Sequence, residues 1–171
     1  MEVHRIQKII KGHKGYVINI DIHFTDKTEK MPIVIFAHGY KGFKDFGAWS
    51  LIADQMADQG VVFVRFNFSH NGTEIENPEE FTRLDLFAEN NFSIEQEELS
   101  YVINEVHAEA KRRDNWNENK ISLIGHSRGG GMAILAALNK KVHSLITWAS
   151  IKDVFDMTPK GEELENWKKI R

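Results

Sequence analysis

The chain of 171 residues contains no cysteine. That excludes a disulfide framework, a thiolate zinc site and a cysteine nucleophile, and it fits a reducing compartment. Proline is scarce, with three residues, and glycine modest, with twelve, so no linker-like or low-complexity stretch is present. Positive charge does not dominate: 22 Lys and Arg stand against 25 Asp and Glu, a formal net charge of −3. A strongly basic surface is thereby excluded, and neither nucleic acid nor an anionic membrane is an expected partner. No run approaches the roughly eighteen apolar residues of a membrane span. Residues 1–11 are charged throughout and lack the apolar segment of a secretory signal, so the expected compartment is the cytoplasm. There is no His-Glu-x-x-His pattern and no Walker A loop, and Gly129-Gly130-Gly131 has the wrong spacing and place for a dinucleotide fingerprint. Neither a metal nor a cofactor is expected.

What is present reads as one α/β domain. Hydrophobic residues make up 42% and charged residues 27%, enough for a real core. Residues 16–24 alternate: Ile18, Ile20, Ile22 and Phe24 fall on one face, and Asn19, Asp21 and His23 on the other. That predicts an antiparallel strand with one solvated face, paired with residues 3–10 across a Gly-containing turn. Residues 33–37, 61–64, 121–124 and 145–149 are short apolar runs of the kind that suit a parallel sheet buried on both sides. Helices separate them. Trp49, Ile52, Ala53 and Met56 share one face, with Gly60 as a stop. Leu99, Val102, Val106 and Ala110 stripe a long helix that Ser93 and Gln96 would open as a capping box. Glu95, Glu97 and Glu98 in its first turn read as a solvated acidic face that complements the helix dipole. Met132, Leu135 and Ala136 line a third helix, and residues 161–171 form a short helix or a tail.

Two loops carry chemistry. Gly125-His126-Ser127-Arg128-Gly129 fits G-x-S-x-G directly after an apolar strand and before a helix. In that setting the motif is a tight strand-to-helix turn that thrusts a serine hydroxyl out of a strained backbone. Larger side chains two residues to either side would collide, so Gly125 and Gly129 are steric requirements. The second loop, His38-Gly39-Tyr40-Lys41-Gly42, follows the first parallel strand. The backbone N–H of Tyr40, with that of Arg128, would supply the two donors that acyl transfer needs for its tetrahedral oxyanion.

On these residues the chain resembles the α/β-hydrolase superfamily from about residue 3 to residue 150. His38-Gly39-Tyr40 looks like its oxyanion loop, and Gly125-His126-Ser127-Arg128-Gly129-Gly130 like its nucleophile elbow. Arg65-Phe66-Asn67-Phe68-Ser69-His70-Asn71-Gly72 looks like the loop after the fourth strand, with Asn67 where the family pattern has Asp. Residues 38–45 are most similar to cinnamoyl- or feruloyl-esterase-like and dienelactone-hydrolase-like members. The resemblance implies a mostly parallel sheet with an antiparallel N-terminal strand pair, helices on both faces, and hydrolysis of a small-molecule ester-like bond.

The family's triad runs serine, acid, histidine. After Ser127 the acids before the tail are Asp153 and Asp156, and the one histidine, His143, precedes both. That order cannot be completed within these residues. The expectation is an incomplete hydrolase domain, with core 3–150 and a tail or cap start at 151–171, truncated after about the sixth strand. Its triad acid and histidine would lie outside the chain, and its activity alone would be weak or absent. His70 is a candidate pocket residue and Asp153 a candidate acid. His38 and His126 read as structural, and His4, His13, His23 and His107 as exposed. A non-catalytic scaffold, and a peptidase or thioesterase of the same fold, remain alternatives. Residues 145–149 are expected at an open edge that pairs with a second copy or with a complementary C-terminal segment.

Overall fold

The computed structural model describes residues 1–139 and 142–169, without the side chains of residues 154, 156 and 167. The Asp156 carboxylate and the end of the tail therefore lie outside the described residues. Six strands, β1 (His4–Lys11), β2 (Val17–Phe24), β3 (Met31–Ala37), β4 (Val62–Asn67), β5 (Trp116–His126) and β6 (Ser144–Trp148), form one sheet in the order β1-β2-β4-β3-β5-β6. β2 pairs antiparallel with both β1 and β4, and the remaining neighbours are parallel. The helices are α1 (Trp49–Asp58), α2 (Leu84–Glu89), α3 (Phe92–Ala110), α4 (Arg128–Asn139) and α5 (Gly161–Lys169).

The apolar stripes do what their spacing predicts. Leu99, Val102, Val106 and Ala110 of α3, with Met132, Ala133 and Ala136 of α4, bury against Ile18, Ile20, Ile33, Ile35 and Leu123 on one face of the sheet. Ala53, Trp49, Ile52 and Met56 of α1 pack on Phe36 and Phe63 of the other. Both faces are thus covered, as parallel strands require. The chain leaves β3 through α1 towards β4 on one side and reaches β5 through α3 on the other. This reversal opens a crevice at the carboxyl ends of β3 and β5, where α/β sheets bind ligands.

Four expectations need correction. The polar face of β2 is not solvated: Asn19, Asp21 and His23 are buried. Arg65 of β4 and Lys44 cover it, both bonded to Asp21, while His23 holds Asp54 of α1 at 2.7 Å. The burial of His23 also overturns its reading as an exposed strand position. Opposite charges at close range replaced water as the partner of this face, a substitution that alternation alone cannot reveal. The acidic face of α3 is not solvated either: Glu95 and Glu98 are buried and only Glu97 is exposed. The cap of α3 is Asn91, whose side chain accepts the N–H of Ile94 at 3.1 Å, so the helix starts before Ser93. β6 is exposed along all five residues at the edge of the sheet, where among the described residues only β5 flanks it.

Candidate active site

Ser127 sits between the end of β5 and the start of α4 with φ +52°. That left-handed conformation costs an L-residue about 1–2 kcal/mol and turns the side chain out of the strand-to-helix path. A Cβ on Gly129 would collide with the carbonyl oxygens of Ala37 and His38, and one on Gly125 with the backbone of Gly129. The tight turn therefore exists because neither position carries a side chain. The Ser127 N–H donates to Trp148 O at 2.8 Å, and Ser127 O accepts from Gly130 N at 3.0 Å and Ile151 N at 3.2 Å. Among the described residues its hydroxyl has no hydrogen-bond partner.

The loop after β3 lies directly on this elbow. A Cβ on Gly39 would stand 3.0 Å from Ser127 Cβ, which brings the Tyr40 backbone beside the serine. Among the described residues neither the Tyr40 N–H nor the Arg128 N–H donates to another group. His38 anchors the loop: its Nδ1 bonds Gly39 O at 2.9 Å and its Nε2 accepts from Phe68 N at 3.4 Å. Complete burial lowers its pKa to about 4, assisted by the nearby Arg128 charge. His38 is thus neutral, with its proton on Nδ1. Further along, Lys44 N donates to Asn67 Oδ1 at 2.6 Å, and Lys44 Nζ bridges Asp21 and Asp45, each at 2.6 Å. Arg65 closes this cluster through Lys44 O, Asp21 and Asp45.

The Arg128 side chain turns back under the site. Its Nε donates to Glu95 Oε2 at 2.8 Å, and its guanidinium carbon lies 4.2 Å from the centre of the Phe92 ring and 5.6 Å from that of Tyr40. Burial raises the pKa of Glu95 against the pull of Arg128 and Asn90, and burial likewise raises that of Glu98 against bonds from Ser69 and His13. Lys44, Arg65, Glu95 and Glu98 escaped the sequence reading. A visible signal existed for Arg65 alone, a charge inside the apolar run of β4.

The predicted site residues fall into two groups. Ser127, Tyr40, Arg128, Gly125 and Gly129 come together at the ends of β3 and β5. His70 and Asp153 do not join a catalytic constellation. His70 is fully buried, with Nδ1 on Ser69 Oγ at 2.6 Å and its ring against Tyr16 and His13. Burial, with the neighbouring His13, lowers its pKa. Asp153 is exposed and caps a short 3₁₀ turn (Val154–Met157) by accepting the Phe155 N–H at 2.8 Å. His126 is half-buried against Trp49, and His143 is exposed at the start of β6, the end opposite Trp148. Among the described residues no group of His, Asp and Glu is placed to hold a metal ion, and no helix is long and apolar enough to cross a membrane.

A family profile described as "Putative esterase" matches residues 15–150. No curated protein matches the sequence. Solved structures share the fold. A hypothetical protein from Pseudomonas aeruginosa superposes with a TM-score of 0.72 at 19% identity, over 98% of this chain and 50% of its own. The α/β hydrolase GrgF from Penicillium gives 0.67 at 18%, over 90% and 47%. A "Putative Dienelactone Hydrolase" from Klebsiella pneumoniae gives 0.68 at 14%, over 95% and 65%. The chain thus spans about half the length of the first two.

Proposed function

The chain belongs to the esterase family whose profile it matches, within the α/β-hydrolase superfamily, and on that premise we propose that it is a serine hydrolase acting on a carboxylic ester. Ser127 Oγ attacks the acyl carbon, and the carbonyl oxygen becomes an oxyanion held by the N–H groups of Tyr40 and Arg128. The tetrahedral intermediate collapses with loss of the alcohol, and water then releases the acid from the acyl-enzyme and restores the serine. The observation that carries this reading is the strained φ of +52° at Ser127, flanked by glycines where any side chain would collide. Backbone strain of this kind persists where the surroundings enforce it, and it clusters at functional sites.

The hydroxyl of Ser127 lacks an activating base among the described residues. A serine without its base is a weak nucleophile at neutral pH. An oxyanion hole and binding still leave about 10³–10⁴-fold catalysis over water in a triad enzyme stripped of its triad. The 171-residue chain is therefore expected to react slowly. Its substrate is a small-molecule ester, with thioester and peptide bonds as competitors for the same acyl chemistry. The unengaged hydroxyl also supports a second reading, a non-catalytic hydrolase-like binding protein.

A fluorophosphonate probe decides between them. Slow labelling that peptide mapping assigns to Ser127, abolished in Ser127→Ala, supports the hydrolase. Labelling of another serine that survives in Ser127→Ala overturns it. Initial rates on matched p-nitrophenyl ester, thioester and anilide substrates rank the bond types.

A further inference from the structure

The two oxyanion donors belong to different elements: Arg128 opens α4, and Tyr40 lies in the loop after β3. Acyl transfer depends on their separation, since a displacement of about 1 Å can cost about a hundredfold in rate. One side chain links the two residues. The Arg128 guanidinium, continuous with the first donor's own backbone, lies 5.6 Å from the centre of the Tyr40 ring. That ring is half-exposed, beside a left-handed Lys41 with φ +55°, so the loop is not held by burial of Tyr40 itself.

The guanidinium is in turn held from α3. Glu95 Oε2 accepts its Nε–H at 2.8 Å, Glu95 Oε1 accepts from Asn90 Nδ2 at 2.8 Å, and the Phe92 ring lies 4.2 Å from it. Arg128 and Glu95 are 8% and 4% exposed. A buried ion pair seldom stabilises a fold more than apolar residues of equal volume would. Among the described residues this one also leaves Arg128 Nη2 buried and without a partner, a further cost. Stability is therefore a poor account of why a charge pair occupies this place behind the nucleophile.

We propose that the Arg128 side chain sets the spacing of the oxyanion hole, with Glu95 and Phe92 as positioning residues that lock the guanidinium against Tyr40. The proposal rests on the reading of Ser127, Tyr40 and Arg128 as an acyl-transfer site. It assigns the first turn of α3 a part in that site without any contact to substrate.

Two readouts on the ¹⁵N-labelled chain, both taken well below its melting temperature, test it. The first is the backbone amide resonance of Tyr40. It should shift in Glu95→Ala and Arg128→Met, and stay near its native position in Glu95→Gln, which keeps an acceptor for the Nε–H. The second is the rate of fluorophosphonate labelling at Ser127. Glu95→Ala should label about tenfold to a hundredfold more slowly, and Glu95→Gln should recover most of that rate. Phe92→Leu, which leaves the ion pair intact, should fall between and serves if Glu95→Ala does not fold. A Tyr40 amide unmoved in all three disruptive variants overturns the proposal, as does unchanged labelling alongside a lowered melting temperature, since the pair would then be structural only. If the unsubstituted chain does not label, as the missing base allows, the Tyr40 amide alone decides the proposal; labelling of another serine that survives in Ser127→Ala is what fails the esterase reading.

Discussion

The backbone N–H of Ser127 donates to the carbonyl of Trp148 at 2.8 Å, so the elbow is fastened to the last residue of the sheet's edge strand. The return path is as tight: Ile151 N reaches Ser127 O at 3.2 Å, across an Ala149 held at φ +45°. The serine's strained conformation is thereby pinned from three sides: by its own helix, by the loop after β3 and by the end of β6. Movement of β6 must be felt at Ser127.

The strain at Ser127 is measurable. Glycine tolerates φ +52° without a Cβ penalty, whereas alanine retains it. Ser127→Gly should therefore be more stable than Ser127→Ala by about 1 kcal/mol, after the looser unfolded chain of glycine has taken its share. Guanidinium unfolding with unchanged slope measures the difference. Equal midpoints would show that the elbow is relaxed.

Gly129 tests the close approach instead of the dihedral. A Cβ there meets two backbone oxygens, of Ala37 and His38, and neither can swing aside as a side chain would. Gly129→Ala should lose about 1–3 kcal/mol, the usual range for an overpacked core, and Gly129→Val more. A Gly129→Ala variant as stable as the native chain would mean that α4 can draw back from β3.

His38 predicts a pH dependence. Its folded pKa of about 4 lies below the ordinary 6.5, so between those values the unfolded chain binds a proton that the native state refuses. Its contribution is thus fully present above about pH 6.5 and is lost as pH falls towards 4. Burial acts in the same direction on His23 and His70, and in the opposite direction on Glu95 and Glu98, whose raised pKa favours the native state in acid. The informative quantity is therefore the difference between the native chain and His38→Gln. It should narrow by roughly 2 kcal/mol between pH 7 and pH 5. A difference constant with pH would mean that His38 takes up a proton as readily in the native loop as in the unfolded chain.

The elbow and the loop after β3 were legible because their requirements are local. G-x-S-x-G after an apolar strand specifies Ser127, Gly125 and Gly129 within five residues, and the loop at Gly39 follows from its place after β3. The sheet and the stripes of α1, α3 and α4 were legible from period alone. The polar second layer was not. Asp21 and His23 alternate as a solvated face would, and only Arg65 and Lys44, more than twenty residues away, turn that face inward. Glu95 and Glu98 lie where a helix dipole welcomes acids, and nothing nearby announces that Arg128 and Ser69 bury them. The start of α3 shifted for a related reason, since Asn91 is an equally good cap and stands earlier in the chain.

The last prediction concerns β6. All five of its residues are exposed, with Leu145, Ile146 and Trp148 at 36%, 53% and 50%. Among the described residues β5 is its only neighbour, and it carries no proline or charge to discourage pairing. Such an edge presents unpaired N–H and C=O groups beside apolar side chains, a template for strand addition. A second copy offers the same edge, and a two-fold axis would pair β6 with its mate antiparallel, closing the contact on itself. The 171-residue polypeptide should therefore associate reversibly at micromolar concentration in sedimentation velocity. Outward-facing amides of β6 should gain protection from hydrogen exchange as concentration rises. Ile146→Lys should shift the equilibrium to monomer and remove that protection. Because Ser127 N is bonded to Trp148 O, the Ser127 amide resonance should move with the same concentration dependence. A concentration-independent monomer, with β6 amides as protected as those of residues 121–124, would instead mean that the chain covers its own edge, for which α5 is the next α-helix in sequence.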